Sequence, residues 1–234
     1  MSNLTRLDNV AHADLRIATG HGARFGDAVN QIALFLPEFE EAQRHYPILF
    51  RRQESGSLQA LAILGFDRDE NLFLEGDRWA GYVPAIARRG PFLIGLAGDE
   101  PMIHVDLDHP RVVGDAAQGG EPLFLPQGGQ APALDRAVEA LRAIHLGHEA
   151  APAMTALFDE LELVRPVTLN VQVTDSKSYN FKDYLAVAPE RIAALDGAGL
   201  ERLNHTGLLP PAIFAASSLA NMNRLIARKR AAMA

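Results

Sequence analysis

At 234 residues, 48% hydrophobic and 22% charged, the chain has the composition of a globular protein. It is long enough to bury about 70% of the surface it exposes when unfolded. It contains no cysteine, which excludes thiol catalysis, thiolate zinc sites, cysteine-ligated iron–sulfur clusters and disulfides. A net charge of −7 opposes nonspecific binding to nucleic acid. No run approaches the roughly 20 apolar residues that span a bilayer, and the N-terminus lacks the basic and apolar regions of a secretory signal. These features predict a cytoplasmic protein that neither inserts into a membrane nor binds nucleic acid.

The first 40 residues show no clean period until Gln31–Leu36, an apolar run that reads as a strand ending at Pro37. Glu38–Arg44 reads as a polar turn or short helix. Ile48–Arg51 and Leu58–Phe66 form a strand pair around a glycine- and serine-bearing turn at 53–57. Short strands follow at Asn71–Glu75, Gly90–Gly98 and Met102–Leu107, the last two separated by the turn Gly98-Asp99-Glu100-Pro101. Gly114–Pro132 holds five glycines and three prolines and is the best hinge or long loop in the chain. Beyond it, apolar residues at helical spacing predict helices at Ala133–Leu146 and Ala153–Leu161, with Gly147 ending the first. A hairpin of Thr168–Val173 and Tyr179–Val187 comes next. Three helices close the chain, at Glu190–Leu195, Gly199–Asn204 and from Pro210-Pro211 to about Arg230. The last carries an apolar face of Ile213, Phe214, Leu219, Met222, Leu225 and Ile226. The fold class is α+β, with a mixed or antiparallel sheet in a strand-rich first half and a helix-rich second half. It reads as one domain over 1–234, with a sub-division at 114–132 as the alternative.

Three regions stand out as a set. The first runs from Tyr46-Pro47-Ile48 through Glu70-Asn71-Leu72-Phe73-Leu74, then Trp79, Tyr82-Val83-Pro84, Arg88-Arg89 and Pro91-Phe92. The second is the strand aspartate Asp106 followed by Gly120-Glu121-Pro122-Leu123-Phe124. The third is Ala188-Pro189-Glu190-Arg191-Ile192, Leu200–Leu203, Gly207-Leu208-Leu209 and Ser218 through Ile226. In this order they resemble the SapC family of bacterial proteins. The resemblance implies an accessory role near nutrient uptake, or near flavin-dependent halogenase-like and peptide-modifying systems. It assigns no catalytic residue. The permease label that similar proteins carry does not suit a chain without a membrane-length apolar run.

Two constellations compete for a function. One is the block Arg78, Trp79, Tyr82, Arg88 and Arg89, because Trp, Tyr and Arg combine large contact area with a polar handle and dominate binding hot spots. A plainer reading sits beside it, in which Trp79 and Tyr82 plug the core and the arginines pair with Asp67, Asp69 and Glu70. The other is His104-Val105-Asp106, whose alternation on a strand puts both polar side chains on one face. Many non-haem iron, 2-oxoglutarate-dependent oxygenases supply two ligands this way. His145, His148 or His205 would complete that set, and Arg165 would hold the co-substrate carboxylate. His145 and His148 also stand at metal-binding spacing, but a helix C-terminus favours histidines by its dipole alone. Gly20–Gly26 fails as a dinucleotide fingerprint and reads as a flexible loop. Ser217-Ser218 and the hydroxyls of Thr174–Ser178 lack a nucleophile motif. Arg224, Arg228, Lys229 and Arg230 read as a solvated, dipole-complementing tail. The preferred reading is a non-catalytic binding or accessory protein without cofactor, with a protein or peptide partner docking on residues 78–89. An Fe(II), 2-oxoglutarate enzyme using His104 and Asp106 is its alternative.

Overall fold

The computed structural model describes residues 3–97, 100–114, 119–174 and 177–233. Strands crowd the first half: β1 (Leu4–Arg6), β2 (Arg16–Ile17), β3 (Gln31–Leu34), β4 (Ile48–Arg52), β5 (Leu58–Ile63), β6 (Leu74–Glu75), β7 (Arg78–Trp79), β8 (Phe92–Ala97), β9 (Glu100–Asp106), β10 (Val112–Val113) and β11 (Glu121–Pro122). Among the described residues, two single-turn α-helices, α1 (Phe39–Ala42) and α2 (Ala85–Arg88), and two 3₁₀ turns (Ala23–Phe25 and Leu36–Glu38) interrupt them. The second half holds α3 (Pro132–Glu160), the hairpin β12 (Val164–Thr174) and β13 (Lys177–Val187), then α4 (Pro189–Ala193), α5 (Gly197–His205), α6 (Leu209–Ser218) and α7 (Asn221–Met233). The fold is α+β, and every described strand pairing is antiparallel.

The largest sheet has the order β12-β13-β4-β5-β3. Its β4–β5 hairpin turns where the sequence places the turn: Gln53 and Ser57 close it by a backbone bond of 2.9 Å, and Gly56 supplies φ +85°. Strand β12 alternates, with Val171 and Val173 buried and Asn170 and Gln172 exposed, the period of a strand with one face on a core. That core collects the sheet's inner residues, Tyr46, Trp79, Met154, Leu157 and Phe158, and side chains of α5, α6 and α7. A second, smaller core lies under β2, β8 and β9, where Ile17, Phe92, Val105 and Leu123 meet Ala133, Leu134, Ala137 and Leu141. Helix α3 therefore serves both cores, the smaller with its first turns and the larger with its last.

Four expectations are corrected. Helices at 133–146 and 153–161 are one helix of 29 residues. Gly147 does not end it: a Cβ there would overlap Phe35, so the glycine permits close approach of helix and chain. Pro152 sits inside and removes one helical hydrogen bond, but Met154, Leu157 and Phe158 just beyond it are buried, and their packing holds the helix together. The helix expected from Pro210 to Arg230 divides into α6 and α7. At the break, Asn221 Nδ2 donates to Gln43 O (2.7 Å) and Tyr46 O (3.2 Å), and the buried Ser218 hydroxyl donates to Ala215 O and accepts from Ile48 N. The buried side of α6 is small, Ala212, Ala215 and Ala216, whereas Ile213 is 46% exposed. Of Asn71–Glu75 only Leu74 and Glu75 form a strand.

The fourth correction concerns the basic tail, which is solvated only in part: Arg224 and Arg230 are exposed, Arg228 is half-buried and Lys229 is buried. Lys229 is 5% exposed and donates to Asp67 (2.6 Å) and Glu70 (2.5 Å). Arg230 donates to Val173 O, Arg224 to Arg44 O, and Arg228 to Leu72 O and Glu75. Periodicity reports which residues face inward but not which long cation finds an acid across the fold. Residues Gly98 and Asp99 of the expected turn, 115–118 of the expected loop, and Asp175 and Ser176 lie outside the described residues.

Candidate functional site

Trp79 is 7% exposed and belongs to the larger core. Its indole Nε1 donates to the Tyr46 hydroxyl (2.8 Å), which in turn donates to Tyr82 O. Both polar atoms of this pair are thereby satisfied inside the protein, as burial requires. Tyr82 is half-buried and its hydroxyl donates to Glu38 Oε1 (3.0 Å). Glu38 is 2% exposed and also accepts from Ala85 N (2.6 Å) and Phe35 N (3.0 Å). Burial pushes its carboxyl above the ordinary glutamate range, although these donors and the Arg88 charge pull the other way. The bond to Ala85 N anchors the first turn of α2, and Gly90 at φ +54° ends the helix.

Helix α2 brings Arg88 and Arg89 to the seam between the two cores. There they line a cleft of about 240 Å³ with His21, Thr19, Arg111 and Arg136. Val83, Ala87, Ala133 and Ala137 form its apolar side. The four arginines differ in what answers their charge. Arg111 is buried against Asp27 (2.8 Å) and also donates to Gly20 O (2.5 Å) and Ala18 O (3.3 Å). Asp27 further bonds His21 Nδ1 (3.1 Å) and accepts from Gly22 N (2.9 Å). Burial raises the Asp27 carboxyl, but the His21 and Gly22 bonds and the Arg111 charge outweigh it and hold the group below its usual range. Arg136, at the rim, pairs with Glu121.

Arg88 and Arg89 form no ion pair among the described residues. Arg88 Nη2 donates to the Tyr82 hydroxyl (2.9 Å), with the guanidinium 5.3 Å from that ring, while its buried Nε has no hydrogen-bond partner. Arg89 Nη1 donates to Phe92 O (2.8 Å), and burial lowers the pKa of its guanidinium from the ordinary arginine value. The expected pairing of these arginines with Asp67, Asp69 and Glu70 does not occur, since Lys229 engages Asp67 and Glu70. Arg78 is exposed and lies outside the cleft. The five residues of the sequence block are thus sorted into two core groups, one surface arginine and two cleft arginines.

His21, Asp27, Glu38, Arg111 and Arg136 were not legible as site residues. The stretch Gly20–Gly26 is a loop, but Asp27 folds it back through Gly22 N, and a 3₁₀ turn at Ala23–Phe25 packs the Phe25 ring 4.3 Å from the Arg111 guanidinium.

His104 and Asp106 lie on one side of β9, with Val105 buried on the other. Asp106 Oδ1 accepts from Asn3 N (3.1 Å) and Asp108 N (3.2 Å), which caps the strand end. The His104 ring lies against Gly95, where a Cβ would overlap it, and its Nδ1 is buried without a partner. The histidines proposed to complete a metal set have other neighbours. His145 pairs with Glu149 (3.3 Å), His148 packs 5.0 Å from the Phe35 ring, and His205 lines a groove with Glu160 and Arg202. Arg165 pairs with Glu162 on the surface. Among the described residues no three His, Asp or Glu side chains converge so as to hold a metal ion, so the donor set does not fit an iron centre. Ser217 donates to Gln43 and Phe214 O, a packing role. Among the described residues no helix is long and apolar enough to cross a membrane.

Fold and site together define an α+β protein with an arginine-lined cleft between two cores. A family model described as SapC matches residues 7–225, and the chain belongs to that family. No curated protein and no solved structure matches the chain.

Proposed function

We infer that this protein is a non-catalytic binding protein that takes an acidic group of a protein or peptide partner into the cleft beside α2. What supports the reading is a single imbalance: four arginines line the cleft, two are paired with Asp27 and Glu121, and Arg88 and Arg89 form no ion pair among the described residues, Arg88 reaching Glu38 only through the Tyr82 hydroxyl. A desolvated guanidinium without a counter-ion is costly to keep and becomes favourable once a carboxylate arrives, because charge-assisted bonds strengthen where water is excluded. At about 240 Å³ the cleft is smaller than the roughly 300–1,000 Å³ of a whole-ligand pocket, so it suits one end or side chain of a larger partner. An accessory role beside uptake or peptide-modifying systems is in keeping with a protein that presents such a partner rather than transforming it.

Trp79 is the sole tryptophan and its ring lies 5.6 Å from His21 in the cleft wall, so its emission should report occupancy. Acidic peptides are expected to shift that emission in the wild type and in Arg78→Gln, and to bind at least about tenfold more weakly to Arg88→Gln/Arg89→Gln. Equal binding by all three proteins, with the double variant shown to be folded, refutes the cleft as the site.

A further inference from the structure

The proposed cleft has two unlike walls, and their combination narrows what enters it. On one side stand the Arg88 and Arg89 guanidiniums. Elsewhere its lining is apolar, with Val83, Ala87 and, on α3, Ala133 and Ala137 flanking Arg136. Arg89 has one nitrogen engaged by Phe92 O, and Arg88 has one engaged by the Tyr82 hydroxyl while its Nε is unsatisfied. What remains is two partial guanidinium edges. That is enough for the two oxygens of one carboxylate and sparse for the three strong acceptor oxygens of a phosphate group. An anion with no hydrocarbon would leave the alanine wall wet.

We propose that the cleft holds a carboxylate joined directly to a small apolar group, chemistry shared by the C-terminal residue of a peptide and by a free short-chain carboxylic acid. The carboxylate lies on Arg88 and Arg89, and the apolar group lies between Ala87 and the Ala133–Ala137 face of α3. The volume of about 240 Å³ sets the size, roughly that of one or two residues. This inference rests on the reading of the cleft as an anion-binding site, and it makes the last residue of a partner, rather than an internal Asp or Glu, the recognised element.

The test is calorimetric titration with parallel Trp79 emission, using the whole chain and six probes. These are a short peptide ending in leucine with a free C-terminus, the same peptide amidated, an amidated peptide with internal glutamates, 4-methylpentanoate, acetate and inorganic phosphate. The free-acid peptide is expected to bind and the amidated one to bind at least about tenfold more weakly. Comparable affinity for 4-methylpentanoate identifies a free acid as a sufficient ligand, whereas a marked preference for the peptide identifies a chain terminus. Arg89→Lys keeps the charge but loses the fork and should weaken both by about tenfold. Ala87→Leu fills the apolar wall and should weaken 4-methylpentanoate more than acetate, without depending on any loss of charge.

Outcomes that overturn the inference separate from those that overturn the underlying reading. If the glutamate peptide binds through Arg88 and Arg89 while amidation of the leucine peptide changes nothing, the carboxyl-terminal inference fails and the anion site stands. Tighter binding of phosphate than of either apolar acid has the same meaning. If no probe binds the wild type at millimolar concentration, both fail.

Discussion

Two cationic regions of this protein, one buried and one half-buried, teach opposite lessons. In the first, each charge meets its acid: Lys229 lies between Asp67 and Glu70, and Arg111 lies on Asp27 with two backbone carbonyls beside it. Burial alone would lower the Lys229 pKa, but its bonds to the two carboxylates raise it above the ordinary lysine value. In the second, Arg88 and Arg89 donate to a phenol and a carbonyl and form no direct ion pair, with Glu38 one hydroxyl removed from Arg88. The first arrangement closes the structure, pinning α7 to the 67–70 turn and the 18–27 loop to Arg111. The second leaves charge in reserve. Where a protein answers a buried cation internally the residue is architecture; where it does not, the answer is expected from outside.

Removing the cations one at a time tests that contrast. Arg111→Met should cost the most, about 3–5 kcal/mol in a urea-unfolding experiment, because it strands the nearly inaccessible Asp27 carboxylate. Lys229→Met should cost about 2 kcal/mol, less because Asp67 is half exposed and rehydrates. Arg89→Gln should change stability by less than about 1 kcal/mol in either direction, since no acid is stranded. A loss at Arg89 as large as that at Lys229 would dissolve the distinction. Gly147→Ala sharpens it from the packing side: helix propensity favours alanine by roughly 1 kcal/mol, yet overlap with Phe35 should make the variant less stable by about 1–3 kcal/mol.

The smallest effect is in pH dependence. Asp27 is held below the usual aspartate value, so just under that value the unfolded chain binds the proton and the folded chain does not. Stability then rises with pH, and Asp27's contribution is lost as pH falls through the lowered folded value. Glu38 is held above the usual glutamate value, so between the two values the folded chain carries the proton and stability falls as pH rises. Unfolding midpoints measured across pH should therefore lose slopes of opposite sign in Asp27→Asn and Glu38→Gln.

The sheet was readable because its signals are local. The 53–57 turn, the alternation of Val171 and Val173 and the proline openings of the late helices each sit within a few residues of what they determine. The errors have a common origin in long-range contacts. Gly147 reads as a stop until Phe35 is seen against it, and the last helix reads as continuous until Asn221 reaches Gln43 and Tyr46. The site was half legible for the same reason. Arg88 and Arg89 stand out in a tight cluster, while Arg111, His21 and Asp27 are scattered in sequence and acquire meaning only from their mutual contact. Trp79 and Tyr82 stood out equally, but nothing local separates an aromatic that plugs a core from one that meets a partner.

Helix α3 carries one more implication. Its 29 residues extend about 43 Å, and neither core is complete without it: Leu134 and Leu141 belong to one, Met154 and Phe158 to the other. Melting either core would strip half of the helix of its packing, and an unsupported half of that length is marginal in water. The two cores should consequently melt as one cooperative unit, with a single calorimetric transition whose van't Hoff and calorimetric enthalpies agree.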